Sequence, residues 1–314
     1  MLKPKMNSKI YEMDTFTNPS EILEDALFIL AVDKEERAYF ALNKFIESDC
    51  IADSVLVFAY NDDFDSSSLK AIVDSSKLKI ITGYPTSQKE FISQMKNYKS
   101  MLLSNRIVVD ISCILTPYVF LLFKCIQTWN NRADIIAINT IPNDYNYNEL
   151  PFTSYKSYYG DLKMEEILGY GSAVGSQCNK DLFVFAGFEK ALALKIKEET
   201  DYQHFYFVNA LPSYHQKYKD ISIINNYQLI ISESCKRLFA PAINPYEVFN
   251  ILEKNISPEH YVNIAPLCTK PIALGICLYA LKHENIRIVY PFSDKYEHER
   301  SHKVYKAFTY KIIL

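Results

Sequence analysis

Residues 262–296 read VNIAPLCTKPIALGICLYALKHENIRIVYPFSDKY, and no other stretch constrains the fold as strongly. A β-rich run, Tyr261–Ile264, leads into a turn over Ala265–Lys270. Pro271 then occupies a first helical position, where its fixed φ suits the helix and its missing N–H costs nothing. Residues 272–281 are apolar enough for a buried helix. Ile286–Tyr290 is a second β-rich run, stopped by Pro291. This is the sequence form of a βαβ unit, and it predicts an α/β chain with a largely parallel sheet. Its turn sets a hydroxyl, Thr269, and an ammonium, Lys270, at a helix start. Free N–H groups and the helix dipole favour an anion there.

A second copy of this pattern lies earlier in the chain. Asp181–Ala186 matches Asp25–Ala31, and Phe205–Val208 matches the strand Ser54–Ala59. Residues 262–264 match 109–111, Thr269-Lys270-Pro271 matches Thr116-Pro117, and 286–290 match 135–139. The offset is about 150 residues, the size of a domain rather than of a solenoid repeat. The reading is two tandem Rossmann-like halves arising from an internal duplication. Residues 1–22 form an arm, 23–145 the first half, 146–180 a linker and 181–314 the second half. The linker carries Gly160, Gly169, Gly171 and Gly175, four of the seven glycines. It lacks the spacing of a phosphate loop, so it is expected to be an inter-half connection.

Composition narrows the classes. The chain has 314 residues, 49% of them hydrophobic, ample for a large core. A net charge of -3 means that any contact with nucleic acid must come from a local patch. The seven cysteines are scattered with no CxxC pair, which favours buried reduced thiols over disulfides or zinc. The first residues show no apolar signal segment, and no run is long enough to span a bilayer. A cytoplasmic protein without a membrane contact, a cofactor or a bound metal is the expectation.

In a parallel α/β sheet, ligands bind outside the carboxyl ends of the strands. Thr269 and Lys270 are therefore the leading phosphate-binding candidates, against the alternative of a capping Thr and a solvated Lys. Asn263 and Asp110 occupy matching strand ends, and Asp110 with Ser112 suits a ribose hydroxyl or a plain Asx turn. Glu36, Arg37 and Glu189 follow the first strand of each half, where a carboxylate suits acid/base work. In the run DKEER, Asp33 and Glu35 read instead as acids placed at a helix start by its dipole. The tail 294–306 offers Asp294 and Arg300 as groups that close over an anionic ligand, or else is a solvated amphipathic helix. The string His298-Glu299-Arg300-Ser301-His302 fits HExxH, but it is polar and has no third ligand nearby, so it is not read as a metal site.

Residues 262–275, VNIAPLCTKPIALG, resemble the strand–turn–helix signature of CRISPR-associated Rossmann-fold sensor domains. The resemblance rests on Asn263, Thr269 and Lys270. It departs from the family at Pro266-Leu267-Cys268, where glycines are usual. What it implies is binding of cyclic oligonucleotides across a twofold interface, here between two halves of one chain. The first half keeps Thr116-Pro117 but no lysine, so two equivalent sites are not expected. The leading expectation is a cytosolic, defence-associated sensor or adaptor for a nucleotide or a nucleic-acid end, working with a protein partner in a defence complex. The alternatives are a nucleotide-processing enzyme using Glu189 or Glu36 as acid/base, and a structural subunit whose ligand site has decayed.

Overall fold

The computed structural model describes residues 10–12, 19–60, 64–83, 85, 87–145, 162–171, 180–231, 234–292 and 301–314. In chain order the strands are β1 (Ile10–Glu12), β2 (Ala26–Val32), β3 (Ser54–Ala59), β4 (Leu78–Thr82), β5 (Arg106–Asp110), β6 (Asp134–Tyr145), β7 (Lys163–Glu166), β8 (Lys180–Phe185), β9 (His204–Ala210), β10 (Cys235–Ala240), β11 (Tyr261–Pro266), β12 (Ile286–Phe292) and β13 (Ser301–Ile312). The helices of eight or more residues are α1 (Phe40–Glu47), α2 (Gln88–Asn97), α3 (Thr116–Trp129), α4 (Lys190–Glu199), α5 (Gln216–Asn225), α6 (Pro245–Asn255) and α7 (Lys270–Ala280).

The chain is α/β, with two Rossmann-like halves that repeat one strand order. The first sheet runs β1-β13-β6-β5-β2-β3-β4 and the second β10-β9-β8-β11-β12-β7. Numbering the five parallel strands of each half 1 to 5, both sheets read 3-2-1-4-5, followed by an antiparallel strand beside strand 5. A shared order over five strands is what duplication of one doubly wound unit produces.

The origin of the antiparallel strands corrects the linear division at 146 and 181. β7 follows the first half in sequence, yet it pairs with β12 of the second sheet. β13 follows the second half, yet it pairs along nearly its whole length with β6 of the first. The compact units are accordingly residues 8–146 with 298–314, and 1–7 with 147–297. The tail from Ser301 onward is neither a lid nor an amphipathic helix but a sheet strand. Ala307, Thr309, Tyr310 and Ile312 are buried while His302, Lys303 and Lys311 face solvent. The arm contributes β1, which pairs with the outer side of β13.

Local chemistry accounts for the elements. β2 and β3 are apolar and buried throughout, as strands covered on both faces must be. On one face Phe28, Leu30 and Val32 pack against Ala41, Leu42 and Phe45 of α1. On the other, Phe58, Phe91 and Tyr118 form a stacked series with centroid spacings of 5.5 and 4.9 Å. Ser87 caps α2 by accepting from the Glu90 N–H at 3.2 Å. Asn244 caps α6 by accepting from the N–H groups of Tyr246 and Glu247, each at 3.1 Å.

α7 is buried from Pro271 to Ala280, and its Gly275 lets α6 approach. A Cβ at that position would lie 2.3 Å from the Pro245 carbonyl oxygen and 2.7 Å from the Val248 Cβ. Gly275→Ala is therefore expected to force α6 and α7 apart and to cost about 1–3 kcal/mol, as overpacked cores do. Urea denaturation of the purified variant reads this as a lower midpoint; an unchanged midpoint would contradict the close packing.

Candidate functional site

In a 3-2-1-4-5 sheet, the connections from strands 1 and 4 leave toward opposite faces, and a crevice opens between their carboxyl ends. Here those crevices lie between β2 and β5 in the first unit and between β8 and β11 in the second. The two are chemically unlike.

In the first unit the crevice is lined by buried ionisable groups. Asp33, at the end of β2, and Glu35 are 0% and 1% exposed, and Arg37 is 8% exposed. The Arg37 Nε donates to Glu35 Oε2, and the Ser301 hydroxyl, from the first residue of β13, donates to the same oxygen. Burial opposes the charge of Arg37, but the Glu35 carboxylate beside it, together with Cys113 and Tyr145, outweighs that and raises its pKa. Asp110 ends β5 as an Asx turn: its Oδ1 accepts from the Ser112 N–H at 2.9 Å and from the Ser112 hydroxyl. The Ser112 Oγ in turn accepts from the Thr140 N–H at 2.7 Å, tying β5 to β6. Asp110 Oδ2 is buried and has no hydrogen-bond partner among the described residues. Burial is the largest influence on Asp110 and pushes its pKa up to about 6, partly offset by the Ser112 bonds and by Arg37.

Asp33 and Glu35, read from sequence as acids placed at a helix start by its dipole, are thus among the most buried polar groups of the described residues. Glu36, the proposed acid/base, is the exposed member of the run, and its Oε1 accepts from the Lys303 N–H at 3.3 Å. An exposed carboxylate lacks the apolar setting that tunes a general acid.

In the second unit the crevice is built from backbone and uncharged groups. A Cβ on Gly187 would lie 2.4 Å from the Leu267 carbonyl oxygen, so the two connections touch across the crevice floor and only glycine fits. Ser222 and Asn226 donate to the Gly187 carbonyl at 2.8 and 3.0 Å, and Asn225 donates to that of Phe188 at 2.9 Å. These bonds hold the loop after β8 against α5. Glu189 follows directly as the residue before α4, half-buried, with no capping bond from its side chain.

Thr269 and Lys270 stand at the start of α7, beyond the carboxyl end of β11. Thr269 does not cap the helix. Its hydroxyl donates to the Ala242 carbonyl at 2.8 Å, which fixes the turn to the loop after β10. Burial pushes the Cys268 thiol well up, partly offset by the neighbouring Lys270 ammonium, so this cysteine stays protonated. Asn263 does not join them. β11 continues to Pro266, which leaves Asn263 three positions short of the strand end. It lines a cavity of about 90 Å3 with Lys180, Tyr261, Asn285 and Arg287, toward the amino ends of the strands. Asp294 and Arg300 lie outside the described residues.

No family model and no curated protein matches this chain. Two solved structures are similar over much of its length. One is a lipopolysaccharide outer core galactosyltransferase, WaaB, in its apo form, at 10% identity, covering 78% of this chain and 81% of that one with a TM-score of 0.26. The other is a universal stress protein from Archaeoglobus fulgidus DSM 4304, at 8% identity, covering 85% and 96% with a TM-score of 0.25. Superpositions this loose carry nothing about function. No helix among the described residues is long and apolar enough to cross a membrane.

The Asp110 environment has a measurable consequence. The folded chain holds this proton to higher pH than the unfolded chain, whose value is near 3.8. The stabilisation is complete below that value and is lost as pH rises through about 6. Asp110→Asn removes the titration, so between pH 4 and 7 the wild type should lose roughly 3 kcal/mol relative to the variant, at about 1.36 kcal/mol per pKa unit. Urea denaturation of both proteins across that range measures it; parallel profiles would contradict it.

Proposed function

We propose that the chain is a ligand-binding module, a sensor or adaptor for a nucleotide or a nucleic-acid end, with its phosphate site at the Thr269–Lys270 turn. The observation that carries this reading is the placement of that turn. It joins a helix N-terminus, an ammonium and a hydroxyl at the carboxyl end of strand 4, beside the crevice of a doubly wound sheet. Lys270 serves as a point charge for phosphate, and the Thr269 hydroxyl, already donating to Ala242, offers its remaining lone pairs and holds the turn in place. The resemblance of residues 262–275 to the CRISPR-associated Rossmann-fold sensors points to the same class of ligand, and with it to a protein partner in a cytosolic defence setting.

The first half takes no phosphate in this reading. Its crevice holds Asp33, Glu35 and Asp110 against the one guanidinium of Arg37, an electrostatic setting that repels anions. The buried Asp110 Oδ2, unpartnered among the described residues, suits a hydroxyl or a base edge instead, or the half serves only as scaffold.

Binding is favoured over catalysis by the state of the two glutamates. Glu36 is exposed, and Glu189 opens α4 beside a crevice whose floor is filled by the Gly187–Leu267 contact. Neither has the enclosed setting of a tuned acid/base.

Calorimetric titration with ATP, dinucleotides and cyclic oligonucleotides tests the reading. A phosphate ligand should bind the wild type, and Lys270→Ala should weaken it by about tenfold or more, the worth of a charge-assisted hydrogen bond. Asp110→Asn should leave phosphate affinity unchanged. Binding that survives Lys270→Ala would sink the assignment of this turn, and released base or cleaved ligand in the same samples would favour the enzyme.

A further inference from the structure

At the amino ends of the second sheet, opposite the crevice, three potential metal ligands converge. Asp181 is the second residue of β8. The sheet register sets it directly across from His204, the first residue of β9, and from Val262 on β11. His260 enters β11 two residues before Val262, which brings its side chain to the same face. The pairing of the three strands therefore assembles the cluster from positions remote in sequence.

The geometry is specific. Asp181 Oδ1 lies 2.8 Å from His204 Nδ1, and Asp181 Oδ2 lies 3.1 Å from His260 Nδ1. All three ligand atoms fall within 4.8 Å of one another. The imidazole rings are nearly parallel, 8° apart with centroids 6.2 Å from each other. The turn carrying His260 is held by the Asn285 amide, which donates to the His260 carbonyl at 2.7 Å.

Burial differs sharply within the cluster. The Asp181 side chain is 2% exposed, while those of His204 and His260 are 46% and 25% exposed. A carboxylate this deep needs a positive partner, because an uncompensated buried charge is costly. Lys180, the preceding residue of β8, bonds instead to Asp201 at 2.7 Å. A divalent ion supplies that charge directly, using both imidazole nitrogens and the carboxylate as ligands.

We propose that Asp181, His204 and His260 form a binding site for a divalent transition-metal ion of the zinc type. Two nitrogens and one carboxylate oxygen are the ligand set that zinc accepts, with water completing a tetrahedron from the exposed His204 side. The site is open and shallow, so it acts as a clamp on the amino ends of β8, β9 and β11. It is independent of the phosphate reading, which concerns the other end of these strands.

The test uses the full chain, stripped with EDTA and dialysed, then titrated with Zn2+ near neutral pH. The wild type should take up a single equivalent and melt at higher temperature with the ion than without it. His204→Gln and His260→Gln each remove one ligand, and each should weaken uptake about tenfold or more. His204 is half exposed, so that variant keeps the fold. His283→Gln, which removes a histidine paired with Glu253 elsewhere, should leave affinity unchanged. Mg2+ should produce no shift, since it prefers oxygen ligands. No stoichiometric uptake by the wild type, or wild-type affinity in both ligand variants, would overturn the assignment and leave a hydrogen-bonded His–Asp–His cluster in its place.

Discussion

The structure depends on how strand 5 of each sheet is completed. A parallel sheet in the order 3-2-1-4-5 leaves strand 5 with an unpaired row of N–H and C=O groups, a template for unwanted pairing. In the first unit β13 covers that row on β6 over most of its length, and β1 then covers part of β13. In the second, the short β7 covers β12. Each covering strand comes from the segment that follows the other half in the chain. The tandem copies are thus not separable by one cut, although each sheet has its own helices and core.

The same topology gives each unit a crevice, and divergence has filled the two with different chemistry. In the first, side chains are drawn inward: Arg37 neutralises Glu35, Ser301 completes that pair, and Asp110 is left with one unpartnered oxygen. In the second, the connections press together through Gly187 and Leu267, held by amides and a hydroxyl, with the charged Glu189 and Lys270 at the helix starts beside them. A duplicated unit that loses the charge pattern in one copy is relieved of serving the same ligand twice.

Much of the fold was legible because buried parallel strands leave continuous apolar runs. Ala26–Val32, Ser54–Ala59 and Arg106–Asp110 stand out on hydrophobicity alone. β13 did not, because a two-residue alternation broken by Lys303 at positive φ and by a bulge near Val304 blurs into a helical pattern. Asp110 and Ser112, like Thr269 and Lys270, lie at strand-to-helix connections as read, because a strand end before a helix start is a local signal. Glu35 was missed because a partner of its carboxylate, Ser301, lies more than two hundred residues away in sequence. Asn263 was misplaced because the turn was read from Ala265, whereas β11 runs on to Pro266. As the last residue of β11 it has no further rung to donate to, so the strand runs on through it. The Asp181–His204–His260 cluster has no spacing signature at all, since sheet pairing alone assembles it.

Amide hydrogen exchange read by mass spectrometry, with and without ATP, tests the central claim that only one of the two crevices takes phosphate. Slower exchange at residues 268–272, with 110–116 unaltered, is the expected result, since the ligand would occupy the N–H groups at the start of α7. Protection at 110–116 with 268–272 untouched would contradict it and move the ligand to the first unit. Identical exchange at both ends with and without ATP would remove the phosphate site altogether.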